Sequence, residues 1–197
     1  PNGLQPYSSF DKEWYESQIW DMGKTIIEKG VEEGKLEQAE DGHVEVDLSQ
    51  FKLPSVVLLR SNGTALYITQ DIELARQRIQ DDKFDYAMVI TGHEQNLRFQ
   101  QLYRVCDLLG VAKYEQLLHL GYGMVRTKSG KMSSREGSAI SADVLLDEVR
   151  EQVKKLMGEK KDDPDFEKNV AMVAIGAIKY GMLKHGTLSD ITFDLES

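Results

Sequence analysis

Hydrophobic and polar positions repeat with two different periods along the chain, and each change of period predicts a new element. From Phe10 on, Trp14, Ile19, Met22, Ile26 and Ile27 recur at near-helical spacing, which predicts a helix opened by Asp11 and stopped by Gly30. Pro1 to Ser9 reads as loop, and Glu32 to Gly42, acidic and polar, as a helix end or loop. His43-Val44-Glu45-Val46-Asp47-Leu48 then alternates polar with apolar, as a half-buried strand does. Val56 to Leu59 is a second strand candidate. Asn62-Gly63 favours a tight hairpin leading into a third, Ala65-Leu66-Tyr67-Ile68, so a small antiparallel unit is expected here.

The pattern changes character at Thr69-Gln70-Asp71, where a helix opens with Ile72, Ala75 and Ile79 on one stripe. The continuous apolar run Tyr86-Ala87-Met88-Val89-Ile90 suits a strand buried on both faces in a parallel sheet. A second helix carries Phe99, Leu102, Cys106 and Leu109 on one face and stops at Gly110. Leu117-Leu118-His119-Leu120 is the next strand. Strand, helix and strand in this order predict an open α/β sheet, in which ligands bind beyond the carboxyl ends of the strands. Farther on, Ser141 caps a helix with Leu145, Val149, Val153 and Leu156 along a stripe, Lys160 to Asp165 forms a charged linker, and an apolar helix runs from Phe166 toward Leu183. Ser189 to Asp194 is short and extended.

Charge changes this picture at one place. The chain carries 24 basic and 33 acidic residues, a net charge of -9, which argues against a dedicated nucleic-acid module with a basic face. Yet Arg126, Lys128, Lys131 and Arg135 stand in a short span without an acid, punctuated by Gly130 and followed by Gly137. Such a stretch attracts anions, and the hydroxyls of Ser133 and Ser134 are suited to donate to phosphate oxygens. A solvated connector has the same composition, so the residues alone leave both readings open.

Other side chains narrow the chemistry. One cysteine, Cys106, rules out an internal disulfide or cysteine metal cluster and is expected in the core; no histidine spacing matches a zinc site. No apolar run is long enough to span a bilayer, and Pro1 to Phe10 lacks the zones of a secretory signal, so the cytoplasm is the expected location. Tyr67 and Asp71 stand four apart near a helix start, where Asp71 either caps the helix or offers a carboxylate to a guanidinium. His93 and Gln95 follow a strand end and carry groups that can hydrogen-bond a ligand. No Ser-His-Asp order, Walker loop or Gly-x-Gly-x-x-Gly fingerprint occurs. What survives is nucleotidyl transfer by positioning and charge stabilisation, without a protein nucleophile.

Lys131-Met132-Ser133-Ser134 resembles the KMSKS signature of class I aminoacyl-tRNA synthetases, whose lysine stabilises the pyrophosphate leaving group during amino-acid activation. Further stretches, in family order, resemble arginyl-tRNA synthetases: Trp14-Tyr15-Glu16-Ser17, Asp41-Gly42 with Val46-Asp47-Leu48, Leu59 to Thr64, Leu66 to Ile72, Gly92-His93-Glu94-Gln95, Lys131 to Gly137, Ile178-Lys179-Tyr180, and Asp190 to Asp194. The resemblance implies the second half of a Rossmann-like nucleotide-binding α/β fold with parallel strands, a small antiparallel insertion and C-terminal helices. It divides the chain into a connective segment (1–64), the catalytic half-domain with the KMSKS-like loop (65–140) and a helical segment (141–197).

By the same resemblance, Tyr67, Asp71 and Gln95 bind the substrate arginine. Gly92, His93, Met124, Val125 and Lys131 bind ATP, while Lys131, Ser133, Ser134 and Arg135 act in catalysis on the triphosphate. The implied partners are L-arginine, ATP with its accompanying Mg2+, and tRNA(Arg), with no protein metal site, no membrane partner and a monomeric state. Three positions depart from the family pattern: Asn62 stands for aspartate, Gln70 for arginine and Glu73 for a small residue. No His-x-Gly-His occurs, so the expectation is the central-to-C-terminal piece of the catalytic region, inactive alone. Another class I synthetase, or a non-catalytic synthetase-derived binding module, is the alternative; Asp71 with Gln95 speaks against an acidic substrate.

Overall fold

The fold is that of a computed structural model, described over residues 10–19, 22–127, 130–131, 141–158 and 163–193. It comprises two compact units, the first made of residues up to Val89 with Gln95–His119, the second of Ile90–Glu94 with the residues from Leu120 on.

The first unit contains α1 (Glu16–Ile19), α2 (Met22–Glu32), β1 (Val44–Val46), β2 (Val56–Leu59) and α3 (Tyr67–Arg76), continued by a π-helical turn, Gln77–Asp81. The helix predicted from Asp11 begins at Glu16 instead. Trp14 precedes it, flanked by the Lys12 ammonium at 5.0 Å and the Arg78 guanidinium at 5.1 Å from its ring centre. Nor does Gly30 stop α2. It lies inside the helix because a Cβ there would come within 2.6 Å of Leu109 Cδ2, so glycine serves close packing rather than termination.

β1 and β2 pair antiparallel, with Val44 opposite Leu59, Glu45 opposite Val57 and Val46 opposite Val56. The turn that follows forms as its sequence predicts. Gly63 takes a φ of +73°, and the Asn62 side-chain oxygen accepts from the Thr64 amide at 3.0 Å, a bond an aspartate would also make. The third strand does not develop. Only an isolated bridge joins Leu59 to Ala65, since Leu66 is already the extended cap of α3, and Tyr67 starts the helix.

Ile27, Leu48, Leu58, Ile72, Val105 and Cys106 form the fully buried centre of this unit. Burial raises the Cys106 thiol pKa, the state of a packed side chain rather than a nucleophile. Glu73 is also buried, at 2% exposure, and is satisfied locally: Arg76 donates through Nε and Nη2 at 2.8 Å each, and Gln77 donates at 2.8 Å.

β3 (Ala87–Gly92) and β4 (Leu117–Tyr122) pair with each other, and α4 (Asn96–Leu109) lies between them in sequence. Ala87 and Leu117 join the core with Phe99 and Leu102. The opposite-facing residues Met88 and Ile90 remain 54% and 61% exposed, so β3 is buried on one face and not on both. Gly110 ends α4 in the left-handed conformation (φ 72°), as its position predicts.

In the second unit, β5 (Val125–Thr127) pairs antiparallel with β6 (Gly130–Lys131) and parallel with β7 (Ile191–Phe193). The two helices α5 (Ala142–Met157) and α6 (Phe166–Leu183) pack through Leu146, Val153, Val170 and Ala174. Ser141 caps α5, its Oγ accepting from the Val144 amide at 3.2 Å. Of the expected stripe, Val149 and Val153 pack against α6, but Leu146 and Met157 take the inward places predicted for Leu145 and Leu156, and Leu156 is 87% exposed. Either stripe fits a 3.6-residue period; contact with α6 selects between them. Among the described residues, no helix is long and apolar enough to cross a membrane.

Candidate functional site

Of the predicted ATP-binding residues, Gly92, His93, Met124 and Val125 lie near one another in the second unit. Gly92 ends β3 and His93 begins a short 3-10 turn (His93–Gln95), while Met124 immediately precedes β5. A Cβ on Gly92 would lie 3.1 Å from Met124 Sδ, so the missing side chain is what lets the methionine approach. Asp190 joins the pieces. Its Oδ1 accepts from the Met124 amide at 2.9 Å and lies 3.1 Å from His93 Nε2. A carboxylate accepts, so Nε2 is the donor in this contact.

The parallel pairing of β5 with β7 sets this arrangement: Ile191 donates to the Met124 carbonyl at 2.8 Å, and Val125 stands opposite Ile191. An imidazole, a thioether and a bare glycine beside a strand end form a surface suited to a flat heteroaromatic ring. Asp190 lies in one of the stretches that carry the family resemblance, yet sequence reading gave it no role. Its only signal was an acid directly before a β-prone triplet.

The predicted arginine-binding residues lie in the first unit. Tyr67 and Asp71 are four apart on α3 and so share one face. Asp71 does not cap the helix. The cap is Leu66, without a side-chain bond, and Asp71 instead pairs through Oδ2 with Nη2 of Arg98. The Arg98 guanidinium carbon also lies 4.3 Å from the Tyr67 ring centre and 5.7 Å from that of Phe99. Arg98, which carries no sequence-based expectation, thus contacts Tyr67 and Asp71 at once. A second guanidinium, Arg78, senses the same acid: burial lowers its pKa, and Asp71 acts in the opposite direction. Gln95 precedes Arg98 by three residues at the start of α4.

Lys131 is placed by its backbone alone, opposite Arg126 in the β5–β6 pair. Ser133, Ser134 and Arg135 lie outside the described residues. His119 stacks on Phe99 at 4.4 Å, and burial lowers its pKa, which makes it a packing residue. The described residues hold no cluster of three or more His, Cys, Asp or Glu able to bind a metal. Two clefts of the first unit, about 350 and 280 Å³, are lined by none of the predicted site residues.

Comparison with known proteins gives these positions a context. The chain is 40% identical over 189 residues to the arginine–tRNA ligase of Treponema denticola and 38% identical over 194 residues to that of Borrelia garinii. Each match covers 94% of this chain and 32% or 33% of the relative, so the chain spans about one third of the length of the curated relatives it matches. The fold is similar to those of arginyl-tRNA synthetases from Plasmodium falciparum (TM-score 0.75, 20% identity, 94% of this chain and 32% of that one) and Thermus thermophilus (TM-score 0.71, 24% identity, 90% and 37%). Residues 9–195 match the family of class I tRNA synthetases for arginine, catalytic domain, and the chain belongs to that family.

Proposed function

We propose that the full-length gene product is an arginine–tRNA ligase that activates L-arginine with ATP to arginyl-adenylate and transfers it to tRNA(Arg) in the cytoplasm, working as a monomer. The observation that carries this reading is that Tyr67 and Asp71 already hold a guanidinium, that of Arg98. An acid and an aromatic face answer the planar, permanently charged fork of arginine, and neither suits a carboxylate substrate. Gln95 adds donors and an acceptor at the start of α4.

In this reading Gly92, His93, Met124 and Val125 receive the adenosine, with Asp190 fixing His93 and the Met124 amide. Lys131, with Ser133, Ser134 and Arg135, holds the triphosphate, which arrives with its own Mg2+. The negative charge that grows on the leaving pyrophosphate is answered by the cations of this segment. One such preorganised group is worth about 3 kcal/mol of barrier, roughly a hundredfold in rate. No covalent enzyme intermediate is needed: the arginine carboxylate attacks the α-phosphorus, and pyrophosphate leaves. Residues 1–64 serve as the connective insertion, 65–140 as the catalytic half-domain and 141–197 as the helical continuation.

The test is ATP–pyrophosphate exchange by the full-length gene product with arginine, glutamate or cysteine, in the presence and absence of tRNA. Exchange with arginine alone among the three is the expected result. Exchange with another amino acid would reassign the substrate, and none with any would favour a binding module.

A further inference from the structure

The contact that identifies a guanidinium site also fills it. Tyr67 and Asp71 are the two groups with which the proposed site would grip the substrate side chain, and Arg98 engages both at once, by ring stacking and by an ion pair. Its guanidinium has the same charge, planarity and donor fork as the substrate's, so the two compete for the same carboxylate oxygen and the same ring face. Unlike a substrate, Arg98 is tethered to α4, so its local concentration does not depend on supply.

We propose that Arg98 is an internal stand-in for the substrate, and that arginine binds by displacing its side chain from Tyr67 and Asp71. This inference rests on the reading of Tyr67 and Asp71 as the arginine site. Three observations support it. The Arg98 side chain is 31% exposed and that of Asp71 21%, so solvent reaches the pair and Arg98 has a way out. Tyr67 is 57% exposed, and its ring remains as a platform when Arg98 leaves. Arg78 interacts electrostatically with Asp71 as well, so the acid stays compensated during the exchange.

Arg98 then tunes affinity. While its side chain sits on Asp71 the site is closed to substrate, and the apparent dissociation constant is the intrinsic one divided by the fraction open. The site also discriminates: a ligand must outcompete a tethered guanidinium, which lysine, with a compact ammonium and no fork, does poorly.

A merely supporting Arg98, one that orients Asp71 for the substrate, predicts the opposite sign. The experiment is arginine binding and exchange kinetics of the full-length gene product carrying Arg98→Met, which keeps the length of the stem without the cation. The expected result is an arginine KM and Kd about three- to tenfold lower, the weight of a partly exposed ion pair with a cation over a ring, and an unchanged ATP KM. A rise in arginine KM would overturn the proposal. If the variant fails to fold, nitrogen-15 NMR of the arginine Nε groups in the unaltered protein decides instead. Saturating arginine should shift the Arg98 signal and speed its exchange with solvent, and an unperturbed signal would overturn the proposal. Asp71→Ala, measured alongside, separates the two levels: no effect on arginine KM there removes the site itself, whereas a large effect combined with a rise in KM for Arg98→Met removes only the stand-in role.

Discussion

The Asp190 carboxylate accepts from the Met124 amide at 2.9 Å across 66 residues of sequence, joining the entry to β5 to the entry to β7. The same oxygen faces His93, so one acid fixes two of the residues proposed to receive adenosine. Asp190→Ala therefore removes an acceptor from both. Hydrogen bonds to charged groups contribute about 1.5 to 3 kcal/mol when buried, and this one is about one-third exposed, so a rise in ATP KM of roughly tenfold is expected, with arginine KM unchanged. Asp190→Asn keeps an oxygen for Met124 and should lose less. Steady-state exchange kinetics read both, and an unchanged ATP KM would detach Asp190 from the nucleotide.

Asp71→Asn preserves shape and removes charge. A guanidinium facing a neutral amide loses a charge-assisted bond, and arginine KM should rise roughly 10- to 100-fold while ATP KM stays put. The variant with both Asp71→Asn and Arg98→Met checks coupling: the affinity gained by Arg98→Met alone should vanish once the acid is gone.

Lys131→Ala tests transition-state charge. If this ammonium meets the departing pyrophosphate, kcat should fall about a hundredfold with ATP KM changed by less than about threefold. A defect confined to KM would make Lys131 a ground-state binder.

Two glycines separate packing from propensity. A Cβ on Gly123 would lie 1.9 Å from the Ser189 carbonyl oxygen, a backbone atom beside the Gly123 N–H bond to the Thr187 carbonyl. Gly123→Ala should cost about 2 to 4 kcal/mol in urea denaturation. Gly176 lies within α6 with nothing within 4 Å of its Cβ position, so Gly176→Ala should stabilise by about 0.5 to 1 kcal/mol. Equal effects at the two sites would contradict this geometry.

His119 predicts a pH dependence. Burial lowers its pKa from the ordinary 6.5, so below that pH the unfolded chain binds the proton more readily than the folded one. Its contribution to stability is complete above about pH 6.5 and is lost as the pH falls through the folded value. His119→Phe keeps the stack on Phe99 and removes the titration, so stability measured between pH 7 and 5 should fall less steeply than in the parent protein.

The sequence by itself determined the elements whose signals are local. The Asn62-Gly63 turn, the Gly110 stop, the Ser141 cap and the order of strand, helix and strand each follow from backbone preferences and side-chain hydrogen bonds within a few residues. Ordered motifs of residue types also carried the family, since chemistry at a site is written in residue identity. Tertiary structure decided what depends on a distant partner. Whether Leu145 or Leu146 faces inward was set by α6, and whether Gly30 breaks or packs a helix by Leu109. Whether Asp71 caps α3 or meets a cation was set by Arg98, 27 residues away. Asp190 took its role from the parallel pairing of β5 with β7. Contacts across such separations form only when the chain closes on itself, and the residue types alone do not specify which of several compatible partners will be met.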